Sequence, residues 1–212
     1  MPVDPATLFA FIVASGAIVL SPGPDTILIL RYTMSSGQRV GLATVAGVQL
    51  GLAAHTLLAI LGITMIVVSS PILFRLVALA GAAYLAWLGV QSFRAGAMSL
   101  GLSADTEPIV ALKALRRAFI TNLLNPKVII LFLALMPNFI NLEKGSTGAQ
   151  LFTLGAVLIA VNIVWQVALA LAAEKARQWL GAANVQKWIS WTTGAILIFF
   201  AAVMIWNSGI TH

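Results

Sequence analysis

The sequence predicts an all-α integral membrane protein of six transmembrane helices, arranged as two inverted three-helix repeats with the first and fourth helices broken at prolines. Three observations lead there: a composition that only a bilayer can solvate, long apolar stretches of spanning length, and prolines interrupting two of them at corresponding places. Of the 212 residues, 60% are hydrophobic and only 8% charged, and mean hydropathy is +1.01. Soluble domains carry about 25% charged residues, because a water-facing surface needs polar cover. One membrane domain over residues 1–212 uses the whole length, with repeat one over about 1–100 and repeat two over about 109–212.

Spanning helices need about 20 mostly apolar residues. The first stretch runs from about Thr7 to Tyr32, the second from Leu42 to Val68, and the third from Ile72 to Phe93. A longer polar connection, from Arg94 to about Pro108, leads to the fourth, from Ala114 to Phe139. The fifth covers Ala149 to Ala173 and the sixth Trp188 to Trp206. Asp4 is the only early charge, where a signal peptide would be basic, so the first stretch reads as a retained helix. Between Ile109 and Phe119, apolar Ile109, Leu112, Leu115 and Phe119 oppose Lys113, Arg116 and Arg117. That pattern suits either an interfacial lead-in or a snorkelling basic end.

Basic residues set the orientation. Arg31, Arg39, Arg94, Lys113, Arg116, Arg117, Lys175, Arg177 and Lys187 fall in the first, third and fifth connections, nine of the twelve. This bias places both termini outside. The net charge of +6 reads as attraction to anionic lipid and not as nucleic-acid binding, since no basic run is interleaved with aromatics. Small residues at Gly37, Gly41, Gly47 and Gly51, and at Ala78, Ala82 and Ala86, read as helix-packing positions. The glycine faces serve either a homodimer or the internal fold.

Pro22-Gly23-Pro24 cannot sit in a regular helix, because proline lacks the N–H and clashes with the preceding turn. Asn125-Pro126 interrupts the fourth stretch in the same way. Backbone freed inside a bilayer is tolerated only in protein or beside water. Three spans per half make the halves cross in opposite directions, the arrangement in which substrate sites lie between broken helices. An ionisable residue follows each break, Asp25 and Lys127. Charges at such depth pair or face a cavity, and their opposite signs suit a pair; Asp25 could equally cap the second half-helix. His55, Asn162, Gln166, Asn122, Asn125 and Gln49 are the remaining polar groups of the spans, with Trp165 beside the fifth-span amides. Histidine here serves a helix–helix hydrogen bond or a proton step. The pathway residues expected on these grounds are Pro22, Gly23, Pro24, Asp25, His55, Asn122, Asn125, Pro126, Lys127, Asn162 and Gln166.

Four segments carry a resemblance: SPGPDTILIL from Ser21, GQRVGLATVAGVQLGLAAH from Gly37, GAAYLAWLG from Gly81, and NLLNPKVIILFLALMPNFI from Asn122. In them the chain resembles the LysE/RhtB family of amino-acid exporters, which includes lysine, threonine and homoserine efflux proteins. Asp25 stands where many relatives carry asparagine. The resemblance implies export of a small polar metabolite from the bacterial cytoplasm through the inner membrane, driven by proton or ion gradients, with no organic cofactor. A passive channel or efflux of another solute, such as a metal ion, is the alternative. No nucleophile–base spacing or nucleotide loop favours an enzyme. The absence of cysteine and the presence of only two histidines argue against the thiol-electron and metal carriers of similar topology.

Overall fold

A computed structural model describes residues 2–94 and 108–210. The polar connection expected after Arg94 lies mostly outside the described residues. Among the described residues the fold is helical throughout. In chain order the helices are α1 (Pro5–Leu20), α2 (Pro24–Ser36), α3 (Gln38–Ser69), α4 (Pro71–Arg94), α5 (Ala111–Leu123) and α6 (Pro126–Ile130). A π-helical turn (Leu131–Leu135) and a 3-10 turn (Met136–Phe139) follow, then α7 (Thr147–Leu171), α8 (Ala173–Gly181) and α9 (Ala183–Ile210).

Residues 38–64 of α3, 147–171 of α7 and 183–206 of α9 are long and apolar enough to cross a membrane. Two more candidates are bent pairs: α1 with α2, at 57°, and α5 with the segment from Lys127 to Phe139, at 56°. In α4 the apolar part, Leu79–Phe93, is shorter. The protein is therefore a multi-pass membrane protein, with large apolar side chains such as Phe9, Leu57, Leu61, Phe152, Val164 and Trp206 exposed as lipid requires.

The bends fall where the local chemistry asks for them. Asp4 opens α1 by accepting from the Thr7 N–H at 3.0 Å and its hydroxyl at 2.8 Å. These bonds hold its carboxyl below the ordinary value of 3.8, with a smaller contribution from Lys144 at 3.8 Å. This cap is complete above that ordinary value and is lost as pH falls through the lower folded one. At Ser21 the backbone turns extended and α1 stops; Pro24 then opens α2 in its first turn, where a missing N–H costs nothing. Gly37 ends α2 at φ 86°, a left-handed conformation that glycine adopts freely. It is a helix terminator, not the packing position its spacing suggested.

The other glycines of that series do admit neighbours. A Cβ at Gly41 would meet Thr33, at Gly47 the Leu115 carbonyl, and at Gly51 the Asn122 side chain. On α5 the buried stripe is Ala114, Ala118 and Asn122, whereas Leu112 is exposed. Small residues face the protein there because α3 lies close; of the apolar face expected over Ile109–Phe119, Ile109 is buried, Leu115 and Phe119 are half-buried and Leu112 is exposed. Gly89 of α4 and Gly194 of α9 approach backbone to backbone: a Cβ on Gly194 would lie 2.8 Å from the Gly89 carbonyl. Gly194→Val should overpack this crossing at a cost of about 1–3 kcal/mol, read as a lower midpoint of thermal unfolding in detergent.

Candidate functional site

The two bends meet. A cavity of about 40 Å³ lies between them, with Ser21, Gly23, Asp25 and Thr26 on one side and Asn125, Lys127 and Val128 on the other. Leu52 of α3 and Leu158, Asn162 and Gln166 of α7 close it. Such a volume admits a few waters and no whole amino acid.

Asn125 joins the breaks. Its Oδ1 accepts from the Lys127 N–H at 3.0 Å and so caps α6, while its Nδ2 donates to Asp25 Oδ2 at 3.4 Å. Asn122 donates to the same carboxylate oxygen at 2.8 Å. Lys127 Nζ donates to the Ser21 carbonyl at 2.6 Å, at the C-terminal end of α1, where a helix terminus favours a cation. Asp25 and Lys127 line one cavity yet form no ion pair within 4.0 Å. Nor does Asp25 cap its own helix: the N-cap of α2 is Gly23, with no side-chain cap bond. The start of α2 is thus left without a side-chain cap.

Two acceptors in this cluster are buried with no donor, Asp25 Oδ1 and Asn122 Oδ1. Leaving such groups unpaired costs about 1–3 kcal/mol each. His55 stands behind Asn122, with Nε2 3.4 Å from its carbonyl and its ring stacked on Phe132 at 5.4 Å. It faces a separate, largely apolar groove with Leu58, Ala59, Ile63 and Leu133, so of the expected pathway residues it reaches the cavity only through Asn122. Pro22 lies in the Ser21–Gly23 break; Pro24 and Pro126 open α2 and α6. Trp165 does not line the cavity and instead meets Trp179 of α8, ring centroids 6.4 Å apart. Gln49 was the residue sequence reasoning undervalued: its amide joins Asn162 and Gln166. A glutamine in an apolar span was the available signal.

Two apolar clusters pack among the helices around the cavity. Phe11, Leu135, Met136, Leu151, Leu154 and their neighbours form the larger one. Ile29, Leu30, Val45, Leu169, Ala170, Ala173 and Leu180 form the smaller. Beside the smaller cluster opens a vestibule of about 560 Å³, lined by Thr33, Met34, Gln38 and residues 170–175. Gln38 donates to the Leu171 carbonyl at 3.2 Å, and Arg117 to the Tyr32 hydroxyl at 3.3 Å, so several basic connections gather at that end. Gly51→Ala would push Asn122 off the Asp25 carboxylate; transport should fall about tenfold or more, the worth of a hydrogen bond to a charged group, with folded yield retained.

The family model described as LysE type translocator matches residues 17–208. The chain belongs to the LysE family. A LysE-family relative, the homoserine/homoserine lactone efflux protein of Salmonella typhimurium, is 33% identical over 92% of this chain and 94% of its own. The leucine efflux protein of Salmonella choleraesuis is 33% identical over 74% of each chain. An uncharacterized membrane protein of Bacillus subtilis is 33% identical over 92% of this chain and 96% of its own. No solved structure matches. Membership in LysE identifies a transporter.

Proposed function

We propose that this LysE-family protein exports an amino acid or a related small polar metabolite from the bacterial cytoplasm through the inner membrane, by alternating access coupled to a proton or ion gradient. The observation that carries this reading is the meeting of two bent helix pairs around Asp25, Asn125 and Lys127 at a small cavity. The names of the homoserine and leucine efflux relatives support an amino acid as cargo.

In this reading α1 with α2, α3 and α4 form one repeat, and α5 with α6, α7 and α9 the other. The packing is consistent with an inverted pair. Helix α3 meets α7, and α4 meets α9; α3 also packs on α5 as α7 packs on α1. The termini lie outside, and the vestibule faces the cytoplasm. A substrate enters there and parts the smaller apolar cluster. Its carboxylate meets the N–H groups at the start of α2 and the Lys127 ammonium. Its amino group supplies the donors that Asp25 Oδ1 and Asn122 Oδ1 lack. Rocking one repeat against the other then opens the larger cluster.

Expression in an export-deficient host, challenged with toxic amino-acid analogues and dipeptides, tests this. Growth should be protected against at least one analogue, and collapse of the proton gradient should abolish the protection. Protection that survives the collapse would indicate a passive channel; none against any compound would remove the export reading.

A further inference from the structure

The α7 wall of the cavity carries two amides, Asn162 and Gln166, one turn apart. Both carbonyl oxygens are occupied by one group. Gln49 Nε2, from α3, donates to Asn162 Oδ1 at 3.1 Å and to Gln166 Oε1 at 2.9 Å. A side-chain amide offers one acceptor end and one donor end. With the acceptor ends taken, the NH₂ groups of Asn162 and Gln166 are left for the cavity those residues line; neither donates to any described residue. Gln49 itself is not among the cavity-lining residues, and its own Oε1 is buried without a donor.

We infer that Gln49 is a positioning residue that fixes the polarity of the α7 wall, so that Asn162 and Gln166 present N–H donors and select substrates carrying a carboxylate over amines that lack one. The inference rests on the amino-acid export reading above and deepens it. The cavity is then two-sided. Asp25 Oδ1, on the wall opposite α7, is an acceptor without a donor, and the α7 wall adds two N–H donors to the Lys127 ammonium. An α-amino acid has one group for each. An orphaned Gln49 Oε1 fits a fork retained for the direction in which it points the two neighbouring amides, since as plain helix glue it leaves one buried end unpaired.

Exchanging Gln49 for its isosteric acid reverses the fork. Glutamate accepts and cannot donate, so both neighbours would turn their NH₂ groups toward it and their oxygens toward the cavity. The test uses the full-length protein in nanodiscs, with ligand-induced thermal stabilisation as readout. The probes are L-leucine and L-homoserine against their carboxylate-free counterparts, isopentylamine and aminopropanol. Wild type should bind at least one amino acid about tenfold or more tightly than its amine, as expected for donors meeting a carboxylate. Gln49→Glu should lose that preference while still binding the amine, and Gln49→Met should weaken it. Equal preference in wild type and Gln49→Glu would overturn the inference. If Gln49→Glu does not fold, Gln166→Glu gives the second reading. It keeps an acceptor for Gln49 but turns an oxygen to the cavity, and undiminished amino-acid preference there would also overturn it. A wild type that binds no amino acid would instead count against the export reading, which separates the two failures.

Discussion

Asp25→Ala should abolish export and lower stability, whereas Asp25→Asn should fold normally and keep part of the activity. The contrast follows from the two ends of one carboxylate. Oδ2 receives the amides of Asn122 and Asn125, and so ties the first turn of α2 to the start of α6. Alanine leaves both buried amides without that acceptor, at about 1–3 kcal/mol for each lost partner. Asparagine keeps an oxygen in the Oδ2 place and preserves the tie. It puts an NH₂ where Oδ1 now waits for a donor, so binding of an ammonium or a coupling proton is lost there. Export by Asp25→Asn should therefore depend less on the proton gradient than export by wild type. Whole-cell export rates across external pH, with thermal unfolding of the purified variants, check both halves of the contrast. Equal stability and equal export in Asp25→Ala would remove Asp25 from the account.

Lys127→Met should lower export by roughly ten- to hundredfold, the equivalent of about 1.5–3 kcal/mol for a hydrogen bond involving a charged group. Lys127 lines the cavity while its ammonium holds the Ser21 carbonyl at 2.6 Å. Methionine keeps the stem and removes both that bond and the positive charge available to a carboxylate. Lys127→Arg should not restore the rate, because a planar fork cannot take the place of a compact ammonium that approaches Gly23 as well. Initial rates in proteoliposomes at saturating and limiting substrate read the effect. A wild-type rate in Lys127→Met would assign the lysine to the α1 terminus alone.

The bends were legible because their cause is local: Pro24 and Pro126 lack the N–H that a continuing helix needs, and no neighbour can supply it. Asp25 and Lys127, half-buried on the cavity wall, stood out in the sequence as charges beside those breaks. Their partners did not. Whether Asp25 meets Lys127 or two asparagines depends on how far α2 stands from α5 and α6, and sequence spacing within one helix does not encode that distance. The role of Gln49 was hidden likewise, since it is defined by residues 113 and 117 positions away. Gly37 was misread because glycine serves both close packing and a positive φ, and only the end of α2 decides between them. The π and 3-10 turns over Leu131–Phe139 followed from no pattern except Pro137, which denies that segment one backbone donor.

Ser21 offers a direct probe of the junction. The chain has no cysteine, so Ser21→Cys introduces a single thiol on the cavity wall, and its carbonyl remains for Lys127. Labelling by a membrane-impermeant thiol reagent, applied from each face of the membrane in turn, reads which side reaches the cavity. Labelling is expected from both faces, with protection from both by the exported amino acid. Labelling from neither face, or labelling that the substrate leaves unchanged, would contradict alternating access.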